Sequence, residues 1–255
     1  MDSVKCRNCG NMGHKLKNCR FPRLSYGIVL FNKKNEIVMI EKHDSISYIE
    51  FIRGKYSVGN TDYIQLLVDR MSNQEKIKIN NLSFNELWYS ICYSENSSKE
   101  YEKSMIKYDK IKYGLLGKII NSSKNKYEYN EWEIPKGRRN INESNKEASI
   151  REFLEETNID PSKYDIFDNI LPFEECYIGS NNIEYKNIYY IASLKNNLEL
   201  FIDKENKEQI REVKDIKWIG KSDYIRYVRD YSDYKLDVLT DIYSFLDSNY
   251  NNKLI

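Results

Sequence analysis

In short stretches of the chain, hydrophobic residues alternate with polar residues or form a continuous run, and this pattern predicts β-strands. Residues 26–42 read as two strands joined by a turn at residues 32–35, where only Asn and Lys occur. Further strands are predicted at residues 127–134, 166–178, 183–194 and 213–219.

A helical pattern interrupts the strands after residue 43. Apolar residues recur there at spacings of three and four, as in residues 84–91, and Ser83 followed by Glu86 is a helix-start signal. We therefore predict a helical insert over residues 44–112, between a strand pair and a β-rich segment.

The chain closes with an amphipathic helix predicted over residues 223–246, whose apolar face is expected to pack into a core. Strands mixed with a few helices indicate an α+β fold with a mixed sheet. No period repeats along the chain, which argues against solenoids and propellers. The apolar face consists of Tyr227, Tyr231, Tyr234, Val238, Ile242 and Phe245.

A second amphipathic helix concentrates carboxylates on one face. Ser144 with Glu147 forms a capping-box signal, and the helical pattern continues to Thr157. At about 100° per residue, the carboxylates of this helix lie on one side and its apolar residues on the other. Like charges this close repel unless cations lie between them, and hard divalent ions prefer oxygen ligands. The carboxylates are those of Glu152, Glu155 and Glu156.

The 255-residue chain has a net charge of only +1, but its first 23 residues hold six Lys and Arg against Asp2. No stretch approaches the roughly 20 apolar residues of a membrane span, and the start lacks the apolar run of a secretory signal. We expect a cytoplasmic protein without a membrane partner, in which Cys92 and Cys176 are reduced core residues.

The basic N-terminal segment also carries a metal-ligand pattern. Cys6, Cys9, His14 and Cys19 are spaced C-x2-C-x4-H-x4-C, which supplies three thiolates and one imidazole for a tetrahedral Zn²⁺ site. The competing interpretation, a thioredoxin-like redox CxxC, does not require the histidine and the third cysteine at these offsets.

This segment, including both of its glycines, resembles the retroviral-type zinc knuckle. The resemblance implies binding of single-stranded RNA, although Arg7 stands where an aromatic that stacks a base is common. Backbone electrostatics should therefore matter more than base preference. A purely structural zinc clip is the alternative, because runs of charge are often only solvated.

Residues 137–159 have the spacing G-x5-E-x7-R-E-F-L-E-E-T-N-I, which resembles the Nudix box. Asn158 replaces the last glycine of that motif, and asparagine also tolerates the left-handed conformation needed at a helix end. The resemblance implies a mixed-sheet α/β/α sandwich and a pyrophosphohydrolase that uses Mg²⁺ or Mn²⁺.

Roles for individual residues follow from the same resemblance. Arg151 and Glu143 would hold the loop and helix in register by an ion pair. A base beyond the motif would be Glu212, with Glu208 as the near alternative and surface charge as an equal possibility for either. The resemblance assigns the divalent metal to Glu152, Glu155, Glu156 and the Gly137 carbonyl.

Further resemblances narrow the substrate. Residues 132–137, WEIPKG, resemble the W-x-x-P-K-G sequence that leads into the Nudix box in mRNA-decapping and dinucleoside-polyphosphate Nudix enzymes. Lys136 of this segment could contact a substrate phosphate. Segments of the insert resemble Nudix decapping proteins of large nucleocytoplasmic DNA viruses. We therefore expect an mRNA-decapping enzyme with capped mRNA as its partner, acting in the host cytoplasm if the source is viral.

Two alternatives remain open at this point. One is a hydrolase of diphosphoinositol or dinucleoside polyphosphates, and the other is a non-catalytic RNA-binding protein, against which the intact acidic positions argue. The predicted division of the chain is a CCHC knuckle over residues 1–23, a Nudix domain over residues 24–43 and 113–255, and the helical insert between these two parts of the Nudix domain.

Overall fold

The computed structural model describes residues 4–92, 99–124, 127–180 and 182–251. The chain divides into two compact units, one formed by Met1–Glu41 with Trp132–Ile255 and the other by Lys42–Glu131. The first unit is built on a β-sheet, and the second is helical.

In the described ranges, eight strands form one mixed sheet. The strands are β1 (Arg23–Phe31), β2 (Ile37–Lys42), β3 (Trp132–Glu133), β4 (Lys136–Gly137), β5 (Tyr164–Ile166), β6 (Phe173–Ile178), β7 (Glu184–Leu194) and β8 (Val213–Ile219). The central order of the sheet is β3-β2-β1-β7-β5. Strands β1 and β7 run parallel from Arg23 opposite Tyr185 to Phe31 opposite Ser193, whereas β1 pairs with β2 and β4 in antiparallel fashion.

Helices cover both faces of this sheet. Alternate residues of β1 point to opposite sides, so that Leu30 packs in a core with Phe153 of helix α7 (Asn145–Thr157), and Val29 packs in a second core with Ile242 of helix α10 (Asp233–Asn251). The predicted α+β fold, with helices on both faces of a mixed sheet, is confirmed. The helices of this unit are α7 (Asn145–Thr157), α8 (Lys207–Glu212), α9 (Tyr224–Tyr227) and α10 (Asp233–Asn251).

Two predicted strands are shorter than expected. The segment 166–178 is interrupted between β5 and β6 by a turn and Pro172, although both strands pair with the same partner, β7. In the segment 127–134 only β3 is a strand, and Tyr127 forms an isolated bridge with Ser72 of the helical unit.

The predicted helix over residues 223–246 is two helices. Val228 has extended backbone angles, with φ −93° and ψ 136°, and ends α9. Ser232 then precedes α10, whose first turn carries Asp233. Serine before an acidic first turn is a helix-start signal that the continuous apolar face concealed.

The helical unit has its own hydrophobic core, which includes Phe51, Trp88, Tyr108 and Ile119. Ile119 lies in α6, beyond the predicted insert 44–112, so the compact helical unit extends further along the chain than that prediction. The helices are α1 (Ile46–Ile52), α2 (Thr61–Arg70), α3 (Asn73–Asn81), α4 (Phe84–Cys92), α5 (Lys99–Lys112) and α6 (Leu116–Ser122).

The buried carboxylate of Glu75 joins the starts of two of these helices. Its two oxygens accept hydrogen bonds from the backbone N and Oγ of Ser45, which caps α1, and from the backbone N of Ser72, which caps α3. Burial raises the pKa of Glu75, opposed by these hydrogen bonds. One side chain thus accepts hydrogen bonds from the residues that cap the N-termini of both α1 and α3.

Within the described residues neither isolated cysteine forms a disulfide, and their burial is lower than the predicted core position: Cys176 is exposed, and Cys92 is half-buried against the helical core. Cys176 points outward because it alternates with the buried Glu175 on β6. In the described part of the chain, no helix has both the length and the apolar character that a bilayer crossing requires.

Asn158 ends α7 in the left-handed conformation, with φ 57° and ψ 22°. Asn158→Ala should lower the free energy of unfolding by about 1 kcal/mol, because a Cβ without a local hydrogen-bonding group is disfavoured there. Asn158→Gly is the matched control and should keep or raise stability. Urea unfolding measures both, and equal losses in the two variants would contradict this account of the cap.

Candidate active site and Cys/His cluster

The acidic helix α7 begins where the sequence predicts. The Ser144 hydroxyl accepts a hydrogen bond from the backbone N of Glu147, and the Glu147 carboxylate accepts one from the backbone N of Ser144. This capping box and the Asn158 cap fix both ends of the helix. The acidic residues between them are therefore held on a rigid element.

Arg151 is the centre of the charge network on this helix. Its guanidinium donates to both carboxylate oxygens of Glu143, at 2.5 and 3.0 Å, and to the backbone O of Arg138 at 2.9 Å. It also donates to Glu152 at 2.9 Å and to Glu155 at 3.0 Å. One cation thus compensates three carboxylates and joins the helix to the preceding loop.

The charges in this network shift one another's protonation. The hydrogen bond from Arg151 lowers the pKa of Glu143 to about 2, and the same bond raises the pKa of Arg151. Burial raises the pKa of Glu152; Arg151 opposes this shift, whereas the charges of Glu155 and Glu212 add to it. Arg151 therefore offsets part of the repulsion among these carboxylates.

Strand β4 lies directly against the acidic face. The backbone N of Lys136 donates to the buried carboxylate of Glu156 at 2.7 Å. A Cβ on Gly137 would lie less than 2 Å from a carboxylate oxygen of Glu152. A side chain at this position would therefore displace the Glu152 carboxylate from its place beside the strand.

The side chain of Lys136 has acidic partners of its own. Its Nζ lies 2.7 Å from Glu133, whose carboxylate is also 3.8 Å from Lys235. Burial opposes the charge of Lys136, but Glu133, Glu156 and Glu175 outweigh it and raise its pKa. The side chain of Lys136 is half-buried and is held in this ion-pair network, and its contact with a substrate phosphate stays a prediction.

The two candidates for the catalytic base, Glu212 and Glu208, lie on α8. Glu212 is exposed at the end of this helix, and its charge adds to the raised pKa of Glu152, whereas Glu208 lies in the first turn. The buried Gln209 was not foreseen from the sequence: its amide donates to the backbone O of Glu156 and so ties α8 to α7. No short motif signals that contact, which spans 53 residues.

The donor set on α7 fits a hard divalent cation, since it consists of carboxylate oxygens with the backbone of Gly137 beside them. The three carboxylates are held by different groups: Glu152 and Glu155 by Arg151, and Glu156 by β4. Their role as metal ligands stays a prediction.

The N-terminal cluster is compact. In the described part of the chain, the ligand atoms of Cys6, Cys9, His14 and Cys19 lie within 4.8 Å of one another, and Sγ of Cys9 is 3.4 Å from Nε2 of His14. The backbone reaches this arrangement with φ angles of 79° at Gly10 and 95° at Gly13, which favour glycine.

Asn8 supports the cluster from inside. Its amide donates to Sγ of Cys19 at 3.3 Å and to the backbone O of Pro22, and its carbonyl accepts from the backbone N of Leu24. Burial disfavours the Cys19 thiolate, but hydrogen bonds from Asn8 and His14 outweigh it and lower its pKa to about 6. The four side chains are compatible with a zinc site.

Comparison with known proteins identifies the class. Residues 118–235 match the NUDIX domain. A protein of Acanthamoeba polyphaga mimivirus assigned to mRNA decapping is 30% identical over 274 aligned residues, covering 95% of this chain and 75% of the viral protein. The chain therefore belongs to the Nudix family of hydrolases, which use divalent metal ions such as Mg²⁺ or Mn²⁺.

Further relatives come from a second virus. The mRNA-decapping protein g5R of African swine fever virus isolate Pig/Kenya/KEN-50/1950 is 30% identical, and the match covers 79% of this chain and 84% of the relative. Among solved structures, this chain is similar to a Caenorhabditis elegans Ap4A hydrolase in a binary complex. The match covers 88% of this chain and 98% of the hydrolase chain, at 15% sequence identity and a TM-score of 0.45.

The ion pair between Glu143 and Arg151 predicts an acid-dependent loss of stability. The folded pKa of Glu143, about 2, lies below its ordinary value of 4.5, so its contribution is full above pH 4.5 and is lost as pH falls toward 2. Glu143→Gln should therefore be less stable than the unmodified protein above pH 4.5, with a difference that shrinks on acidification. Thermal unfolding across this range measures it, and a pH-independent difference would contradict the assignment.

Proposed function

We propose that this chain hydrolyses the 5′ cap of mRNA and releases 7-methylguanosine diphosphate and RNA with a 5′-monophosphate. The observation that carries this proposal is the similarity, over most of the chain, to viral proteins named for mRNA decapping. The acidic positions of α7 are intact, with Glu152 and Glu155 bound by Arg151 and Glu156 bound by β4, which favours catalysis over a scaffold role.

The chemistry follows from the acidic face. Water adds to a phosphorus of the cap's phosphate chain, and the bond to the leaving phosphate oxygen breaks. When bound, Mg²⁺ or Mn²⁺ supplies neutralisation of charge on the phosphate oxygens and lowers the pKa of water. The side chains of Glu152, Glu155 and Glu156, with the Gly137 carbonyl, would hold these ions.

Other residues of this chain would support the reaction. Arg151 and Glu143 keep the loop and the acidic face in register. Glu212, whose charge acts on Glu152, is the proposed acceptor of the proton from water. Lys136 would neutralise a substrate phosphate only after exchanging its bond with Glu133.

The Cys/His cluster is proposed to hold Zn²⁺ and to bind single-stranded RNA. The support is the convergence of three thiols and one imidazole in a segment rich in Lys and Arg. Bound RNA would keep the cap at a high local concentration near α7.

The direct test is the product released from cap-labelled RNA in the presence of manganese. We expect 7-methylguanosine diphosphate, together with slower turnover of dinucleoside polyphosphates and diphosphoinositol polyphosphates. A protein that is inert toward capped RNA but hydrolyses either small molecule would contradict the proposal and support a small-molecule hydrolase.

Glu155→Gln and Glu156→Gln should each lower metal-dependent decapping by at least about a hundredfold while RNA binding persists, because each removes one charge from the proposed metal face. Glu147→Gln is the matched control on the same helix, since glutamine also completes a capping box. Turnover rates and RNA binding are measured for all three variants. Full activity in either of the first two would refute the metal assignment.

The zinc proposal makes a separate prediction. Elemental analysis of the purified protein should detect zinc, and Cys9→Ser should lower the zinc content because it removes one of the four ligands. Ser90→Ala is a control outside the cluster and should retain zinc. Equal zinc content in both variants, or none in the unmodified protein, would contradict the site.

A further inference from the structure

The Cys/His module, defined here as residues 4–23, lies against the loop that leads into the acidic helix. Nε of Arg7 donates to the backbone O of Arg139 at 3.1 Å, and Nη2 of Arg7 reaches the side-chain O of Asn140 at 3.4 Å. These contacts join residues more than 130 positions apart.

Arg139 reaches back into the module. It is 8% exposed, and its guanidinium donates to the backbone O of Asn8 at 3.5 Å and to the side-chain O of Asn145 at 3.4 Å. A Cβ on Gly10 would lie 2.5 Å from Nη2 of Arg139, so the guanidinium packs closely on the backbone of the module. Two arginines therefore cross the same interface in opposite directions.

The opposite side of the loop at residues 138–143 is hydrogen-bonded to Arg151 and Glu143. The backbone O of Arg138 accepts from Arg151 at 2.9 Å, and the backbone N of Asn140 donates to Glu143 at 2.8 Å. The side-chain amide of Asn140 also donates to Glu143, at 3.2 Å. Residues 138–140 are thus held by the Cys/His module on one side and by the ion pair of the acidic helix on the other.

We propose that Arg7 and Arg139 are positioning residues through which the Cys/His module orders the loop 138–143 and, by way of Glu143 and Arg151, the acidic face. This inference deepens the proposed hydrolase function and rests on it. The module then acts on the hydrolytic step itself, in addition to any binding of RNA. Loss of order in the module would weaken hydrolysis of every substrate, whatever its length.

The position of Arg7 supports this role. It occupies the place where knuckles commonly carry a base-stacking aromatic, and here its guanidinium has partners on the loop instead. A module that acted only as a flexible tether would need no such contacts with the catalytic loop. The anchoring of Asn8 to Pro22 and Leu24 at the start of β1 fixes the module on its other side.

The kinetic test compares Arg7→Ala with Arg226→Ala, a control that removes an exposed arginine of α9 paired locally with Asp223. Arg7→Ala should lower kcat about tenfold on short and long capped RNA alike, since misplacement of catalytic groups by about 1 Å costs up to roughly a hundredfold. Arg7→Lys should restore only part of this loss, because lysine lacks the forked donors. A change confined to KM on long RNA would overturn the proposal in favour of a tether.

Hydrogen exchange gives a readout that needs no turnover. Arg7→Ala should speed amide exchange in residues 138–143, at Asn140 above all, and leave exchange in α10 as it is in the Arg226→Ala control. Unchanged exchange in the loop would overturn the coupling, even if the protein decaps RNA. Faster exchange in the loop of a protein that hydrolyses no capped RNA would instead uphold the coupling and reject the proposed function.

Discussion

The organisation of the site depends on one arginine that compensates several carboxylates. Glu152 and Glu155 are one turn apart and partly buried, so they would repel each other without a neighbouring cation. Arg151 supplies that cation from the same helix and also binds Glu143 and the backbone of Arg138. Local helix geometry and the path of the preceding loop are therefore set by the same guanidinium.

The sheet brings a second element to this network through close backbone approach. Tyr26 and Gly27 of β1 pair with Gly137 and Lys136 of β4, and a Cβ on Gly27 would lie 2.2 Å from the carbonyl of Pro135. Glycines at positions 27 and 137 thus allow β1, β4 and α7 to pack closely at this point. The backbone of β4 is then available to bind Glu156.

The features that sequence reasoning could foresee are local ones. The capping box at Ser144 and the left-handed end at Asn158 depend on residues a few positions apart, and both form as expected. The break at Val228 is hidden in the sequence because an apolar face continues across it. The hydrogen bond from Arg7 to the backbone O of Arg139 joins two segments that are distant in sequence, and only the folded sheet brings them together. The catalytic roles assigned by resemblance remain predictions.

In the helical unit, the shared acceptor at Glu75 has a consequence for cooperativity. If either helix start frayed, this carboxylate would lose donors while still buried, at a cost of a few kcal/mol. Fraying at Ser45 and at Ser72 is therefore thermodynamically linked. These two segments, 27 positions apart, should open in a single concerted event and not one after the other.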